Sequence, residues 1–237
     1  MHINSKITPE IAEICGVIVG DGHLSRYISS RRTDYRIEIV GNKTEEIEYF
    51  KYITKLFYHL FGKDFKLKME SDYARLYIHS KELLEFFENI GLIVGKKSDK
   101  SYIPNKILND EVASLHFLKG LADTDFCICF KKGGRKMNSY PKIVAEFASE
   151  SLIKDIQVIL NRIGITYYKQ TVTKNNTFGV FTHYRLELNG RKNLEKWMEL
   201  IGFSNPKHIT KIKVLEKLGY CPPRTTYLER LKILKEE

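Results

Sequence analysis

This 237-residue chain has little that could hold a zinc ion, grip a nucleoside triphosphate or cross a bilayer. Its four cysteines, Cys15, Cys127, Cys129 and Cys221, form no Cys-x-x-Cys pair, which argues against a structural zinc site. So few thiols point to a reduced, intracellular protein rather than a disulfide-stapled secreted one. Cys127 and Cys129 lie two apart in an apolar, strand-like run and are expected to point together into a core. His59, His79, His116, His183 and His208 show no His-x-Glu or His-x-x-x-His grouping, so neither an HNH-type nor a zinc-hydrolase centre is supported. There is no Gly-x-x-x-x-Gly-Lys-Ser/Thr loop for a nucleotide's phosphates. No segment approaches the ~20 apolar residues of a membrane span. The start, Met1 to Lys6, lacks the basic-then-apolar order of a signal peptide. The expectation is an intracellular protein, in cytoplasm or organelle, with no membrane association.

What the chain does have is positive charge. Lys and Arg number 39 against 29 Asp and Glu, for a net charge of +10, which favours an anionic partner. Nucleic acid is the first candidate and an anionic membrane surface the second. With 43% hydrophobic and 12% aromatic residues the chain has material for a packed core. Its length suits one large domain or two of about 110–120 residues.

Two stretches repeat each other. Ile14-Cys15-Gly16-Val17-Ile18-Val19-Gly20-Asp21-Gly22 and Leu118-Lys119-Gly120-Leu121-Ala122-Asp123-Thr124-Asp125-Phe126 are both apolar, both built on small residues, and both run into an aspartate. The first opens as helices do, with Thr8 as N-cap, Pro9 at the first position and Glu10 in the first turn. After Gly20-Asp21-Gly22 the pattern alternates over 23–29 and 35–40, around a polar connection with Arg31 and Arg32. Ile47, Phe50, Ile53, Phe57, Leu60 and Phe61 then share a helical face. Strands near 64–69 and 73–79 and a helix over 81–89 complete the first half. The second half runs the same way: helix 111–124, strands 126–132 and 142–149, helix 151–163, strands 165–173 and 178–188, helix 191–201. The period of about 105 residues is too long for a solenoid. Helices over 208–219 and 226–236 follow, separated by Pro222-Pro223.

Small residues at helical spacing, Gly16 with Gly20 and Gly120 with Thr124, let two helix backbones approach closely. One such segment is ordinary helix packing. Two at matched positions, each ending in an acid, bring two carboxylates together, a costly arrangement unless a cation sits between them. Oxygen-rich, partly hydrated carboxylate sites suit Mg²⁺. Paired acids with a metal in a basic protein point to phosphodiester hydrolysis.

The two segments resemble the LAGLIDADG motifs of homing endonucleases, and the order αββαββα, twice over about residues 8–205, resembles that family's single-chain members. The resemblance implies an α+β fold: a duplicated αββαββα unit whose two antiparallel four-stranded sheets are related by a pseudo-two-fold axis at a two-helix interface. The halves would be 1–95 and 111–205, joined by a linker at 96–110 and followed by a basic helical tail at 206–237. It also implies that Asp21 and Asp125, helped by backbone at Gly20 and Thr124, bind catalytic divalent metal. The metal would be Mg²⁺, with Mn²⁺ able to substitute and Ca²⁺ supporting binding without cleavage. Asp123 has Val19 as its first-copy counterpart and is read as a structural cap. The residue after the acid is Gly22 in the first copy but Phe126 in the second, where bulk is expected to shift the backbone at the bottom of the interface. Asn42 is implied to organise water with Lys43 nearby, and Ser149 stands at the matching turn without a lysine. Lys97 and Lys207 are implied to stabilise charge at the scissile phosphates.

In this family each sheet straddles the major groove. Outward candidates are His23, Ser25, Tyr27, Arg32, Tyr35, Arg36 and Glu38 in the first half. The second offers Lys131, Arg135, Lys136, Asn138, Lys169, Thr171, Thr182, Tyr184 and Arg185, with arginine and amide side chains suited to base edges and lysines to phosphates. The implied activity is that of a monomeric, site-specific endonuclease cutting both strands of a long asymmetric double-stranded DNA target and leaving short 3′ overhangs. The alternative is a non-cleaving relative, either an RNA maturase with intron RNA as its partner or a DNA-binding protein. The chain has no leading Cys or Ser and no terminal His-Asn, so a free-standing or intron-encoded (intron-homing) protein is expected over an intein.

Overall fold

Thr8 begins the first helix as its sequence predicts: its side chain accepts a hydrogen bond from the Ile11 N–H, and Pro9 fills a first-turn position whose N–H needs no partner. The structure, a computed structural model, describes residues 6–30, 32–176 and 179–236. Arg31 and residues 1–5 lie outside that range. The first half comprises α1 (Pro9–Val19), β1 (Gly22–Ile28), β2 (Thr33–Asn42), α2 (Ile47–Phe61), β3 (Lys66–Met69), β4 (Tyr73–His79) and α3 (Lys81–Ile90). After the short α4 (Asn105–Leu108) the order repeats as α5 (Glu111–Asp125), β5 (Cys127–Lys131), β6 (Tyr140–Phe147), α6 (Glu150–Arg162), β7 (Tyr168–Asn176), β8 (Gly179–Asn189) and α7 (Arg191–Leu200). The chain continues into α8 (Pro206–Leu218) and α9 (Tyr227–Lys235).

Each half forms one antiparallel four-stranded sheet, ordered β1-β2-β4-β3 and β5-β6-β8-β7. One face of each sheet is covered by helices. In the first half Leu24, Ile37, Ile39, Ala74 and Leu76 meet Phe50, Ile53, Phe57, Leu83 and Phe87, all buried. In the second, Ile128, Ile143, Leu186 and Leu188 meet Leu152, Ile156, Ile159 and Trp197.

The halves join where α1 lies along α5. Gly16 and Gly120 make this possible by mutual close approach. A Cβ on Gly16 would collide with the Phe117 carbonyl oxygen and stand 2.8 Å from Leu121 N. One on Gly120 would collide with the Glu13 carbonyl oxygen. Backbone therefore packs on backbone where Gly16 and Gly120 cross. Glu13 is buried at this interface, where it accepts from the Tyr52 hydroxyl (2.7 Å) and pairs with Lys119 (3.3 Å).

Several expectations are corrected. Phe126 does not crowd the interface. Its backbone turns to φ −87°, ψ 154° at the end of α5, and its ring is buried in the second half's own core against Phe147 and Trp197, at centroid distances of 6.1 and 5.6 Å. Cys127 and Cys129 do not point inward. Ile128 and Phe130 take the core positions of β5, leaving Cys127 exposed and Cys129 half-buried on the other face. The more apolar residues win the inward face because strand side chains alternate. The connecting segment is tied down: Gly95 N–H donates to the Leu24 carbonyl at 2.7 Å, and Ile103 N–H to Asp155 Oδ2 at 2.8 Å.

The helical segment at 206–236 forms a strap. Lys211 Nζ donates to the Ile128 carbonyl at 3.2 Å, anchoring α8 on β5. Arg230 on α9 is only 1% exposed and donates to Glu45 Oε2 in the first half at 2.8 Å, while Tyr227 N–H donates to Glu45 Oε1 at 2.5 Å. Among the described residues no helix is long and apolar enough to cross a membrane.

Candidate paired-acid site and nucleic-acid interface

Both motif helices deliver their acids to one floor. α1 ends at Gly20, whose N–H returns to the Gly16 carbonyl at 3.0 Å, and the Asp21 carbonyl then accepts from Val40 N–H, fixing the acid at the mouth of β1–β2. Asp125 closes α5, with Thr124 Oγ1 donating to its Oδ2 at 2.9 Å. Gly20 lies directly against that pair, since a Cβ there would collide with both Thr124 Oγ1 and Asp125 Oδ2. Burial, followed by the charge of Asp125, pushes the Asp21 carboxyl up to about 7. Burial pushes Asp125 up as well. Two acids that resist ionising together are what a bound cation relieves.

Two lysines flank the acids. Lys97 Nζ donates to the carbonyls of Ile18, Val19 and Gly20 at 2.5, 2.6 and 2.7 Å, and so caps the carboxyl end of α1. Burial pulls its pKa down to about 8, although Asp125 and Asp21 oppose the shift. Lys207 Nζ lies 3.5 Å from the Thr124 carbonyl and 2.5 Å from Glu46 Oε1. Both cations act on both acids and oppose the upward shift of each. A cleft of about 530 Å³ opens beside the acids, lined by Gly20, His23 and Lys97 on one side and Asp125, Glu146 and His183 on the other.

Other predicted site residues have identifiable duties. Asp123, buried, accepts from the N–H groups of Ser204 and Asn205 at 2.9 Å each and so caps the chain entering α8. Burial outweighs those bonds and raises its carboxyl to about 7. Asn42 Oδ1 accepts from Thr44 N–H (2.9 Å) and Glu45 N–H (3.0 Å), closing the turn before α2. Lys43 Nζ, on that turn, reaches the Ser71 carbonyl in the β3–β4 connection. Ser149 is the N-cap of α6 and accepts from Leu152 N–H. The Gly20 and Thr124 carbonyls are the ones the two lysines approach.

Strand register sorts the proposed DNA readers. His23, Ser25 and Tyr27 pair with Glu38, Arg36 and Asp34, so all six share the helix-free face of the first sheet. Tyr35 falls on the opposite face, partly buried against the core, with Arg26 over its ring. In the second half Lys131 and Arg185 face outward. Lys169, Thr171, Thr182 and Tyr184 share the parity of the core residue Leu186, with Lys169 Nζ over the Tyr184 ring. Arg32 is exposed at the β1–β2 turn, and Arg135, Lys136 and Asn138 lie in the β5–β6 loop, where Arg135 donates to Ser139 Oγ and the Asn138 carbonyl accepts from Cys221 N–H. The sequence reading missed Tyr73, Arg75 and Tyr77 on β4, although their alternation with Ala74 and Leu76 shows them outward. Arg75 and Arg36 both pair with Glu38. It also missed Glu46 and Asn205, whose Nδ2 donates to Glu46 Oε1 at 3.1 Å.

Among the described residues no group of three or more His, Cys, Asp or Glu is arranged to hold a metal ion. Two carboxylates still fit a hard divalent ion, because Mg²⁺ takes one or two carboxylates and completes its shell with water and phosphate oxygens.

This architecture is a LAGLIDADG-type fold. Residues 113–202 match the LAGLIDADG-like domain family, and the chain as a whole has the fold of the LAGLIDADG homing endonucleases. Variants of the homing endonuclease I-DmoI superpose with a TM-score of 0.60 at 17% identity, covering 82% of this chain and 95% of theirs. The LAGLIDADG meganuclease I-AabMI bound to uncleaved DNA superposes with a TM-score of 0.55 at 11% identity, covering 97% and 98%. In sequence, the chain is 31% identical over 212 residues to a replication factor C small subunit of Methanocaldococcus jannaschii. It is 28% identical over 212 residues to a glutamine–fructose-6-phosphate aminotransferase of the same organism. Each match covers 88% of this chain but only 10% and 17% of those proteins.

Proposed function

We propose that this protein is a divalent-metal-dependent, site-specific DNA endonuclease that cuts both strands of a long asymmetric duplex, and acts as a monomer because one chain already carries both acids. The observation that carries this reading is the floor shared by Asp21 and Asp125 between two outward-facing sheets, in a chain of net charge +10. Asp21 and Asp125 would hold the cation, which when bound supplies Lewis acidity toward water and the leaving oxygen. Lys97 and Lys207 hold the motif-helix ends in place and set positive charge beside the scissile phosphates. The outward residues of both sheets, with Arg36, Arg75 and Arg185 among them, meet the bases, and exposed lysines such as Lys131 and Lys136 meet phosphates. Stretches similar to this chain occupy small parts of proteins with unrelated activities, as expected of a portable unit whose chemistry is independent of its neighbours.

The test is cleavage of a plasmid library of random inserts, followed by the selected site alone, in Mg²⁺ and then in Ca²⁺. The expected result is linear product with short 3′ overhangs in Mg²⁺ and binding without cutting in Ca²⁺. Stable, specific binding with no cutting in any divalent metal would refute the reading.

The raised acid gives a pH prediction independent of activity. A cation must displace the proton that Asp21 holds below about 7. Raising the pH from 6 to 8 should therefore tighten Ca²⁺ binding to the free protein by about tenfold for one displaced proton. Calorimetry at pH 6 in buffers of different ionisation enthalpy should show proton release on binding. Affinity that is flat across this range would place the metal elsewhere.

A further inference from the structure

The two ends of the acid floor are not alike. In each half the residue just before the second helix touches the other half's lysine-bearing segment. Before α6 stands Ser149, whose Oγ donates to the Ser101 carbonyl at 2.5 Å, four residues beyond Lys97. Before α2 stands Glu46, whose Oε1 accepts from Asn205 Nδ2 at 3.1 Å and from Lys207 Nζ at 2.5 Å. The same place in the fold thus carries a neutral hydroxyl on one side and a carboxylate on the other. Glu46 cannot easily swing aside: it is 6% exposed, and its other oxygen accepts from Asn42 N–H at 2.7 Å.

We infer that Glu46 is a positioning residue that restrains Lys207 and makes the strand-cutting centre that depends on Lys207 the slower of the two. The inference rests on the nuclease reading above. An ammonium held against a buried carboxylate presents little net charge to a third group, and in this partly desolvated setting the pair is hard to separate. To stabilise negative charge developing on a phosphate, Lys207 must be shared with Glu46 or leave it. Lys97, which bonds three carbonyl oxygens, gives up only dipoles. Sequence identity between the halves would never reveal this, because Glu46 and Lys207 lie 161 residues apart.

The experiment follows each strand separately on an end-labelled duplex carrying the selected site. Lys207→Met first identifies the strand that depends on Lys207, and in the unaltered protein that strand should be the second to be cut. Glu46→Gln keeps an acceptor for Asn42 N–H and removes the charge. It should speed cutting of that strand roughly three- to tenfold and leave the other within about twofold. Affinity in Ca²⁺ should be unchanged, and Glu46→Ser, which copies the second half, should act in the same direction. If that strand is unchanged or slowed, or if both strands move together, the inference is overturned. If the unaltered protein binds its site and cuts neither strand, the nuclease reading falls, and the inference with it.

Discussion

Asp21→Asn and Asp125→Asn are each expected to abolish double-strand cleavage while DNA binding in Ca²⁺ survives. Asparagine has the shape of aspartate without its charge, so the helix ends and the sheets should keep their places. What disappears is half of the cation's anionic support. A metal contributes several kcal/mol of charge stabilisation to phosphoryl chemistry, so losing it should slow cutting at the affected centre by about 10³-fold or more. Stability should not suffer. Burial and the neighbouring acid already oppose ionisation of Asp21, and a neutral amide removes that opposition. The melting temperature of Asp21→Asn at pH 8 should thus equal or exceed that of the parent. Supercoiled plasmid should accumulate as intact or nicked product, with no linear band. Linear product formed at the parental rate by either variant would remove that acid from the chemistry.

The largest structural effect should come from Gly120→Val. Its new Cβ would meet the Glu13 carbonyl oxygen, a backbone atom of a packed helix that cannot rotate away. Relief requires α1 and α5 to separate, which would expose buried Ile14, Val17, Phe117 and Leu121. Overpacking of this kind costs about 3 kcal/mol or more, a large part of a domain's net stability. Val158→Ala, at an exposed position on α6, is the control and should shift stability by less than about 0.5 kcal/mol. Urea unfolding of the two variants tests this. A loss below about 1 kcal/mol for Gly120→Val would mean that the helix contact yields easily, and that it does not hold the acids in register.

The motif helices were legible because their signals are local. Thr8, Pro9 and Glu10 mark a start, and small residues followed by an acid mark an end at matching places in both halves. The duplicated order was legible for the same reason, since a change from helical to alternating period needs no knowledge of distant contacts. Face assignment was less secure. Tyr35, Lys169, Thr171, Thr182 and Tyr184 are polar or amphipathic and read as outward, yet register sets them on the helix-covered side, where long side chains can still reach solvent. The same weakness placed Cys127 and Cys129 inward, against the stronger claim of Ile128 and Phe130. Glu46 and Asn205 could not be found at all. Each is unremarkable in its own neighbourhood, and their meaning comes from a contact across 159 residues.

The strap formed by α8 and α9 also bears on how the chain is made. Arg230, deeply buried, has as its carboxylate partner Glu45, which precedes it by 185 residues. At synthesis rates of about 5–20 residues per second, the turn bearing Glu45 and Glu46 waits roughly 10 to 40 seconds for that partner to emerge. During this interval the first half can build its own sheet, but the loop beside its acid lacks one of its anchors. Completion of the turn beside the first acid thus trails synthesis of that turn by the time needed to reach one arginine.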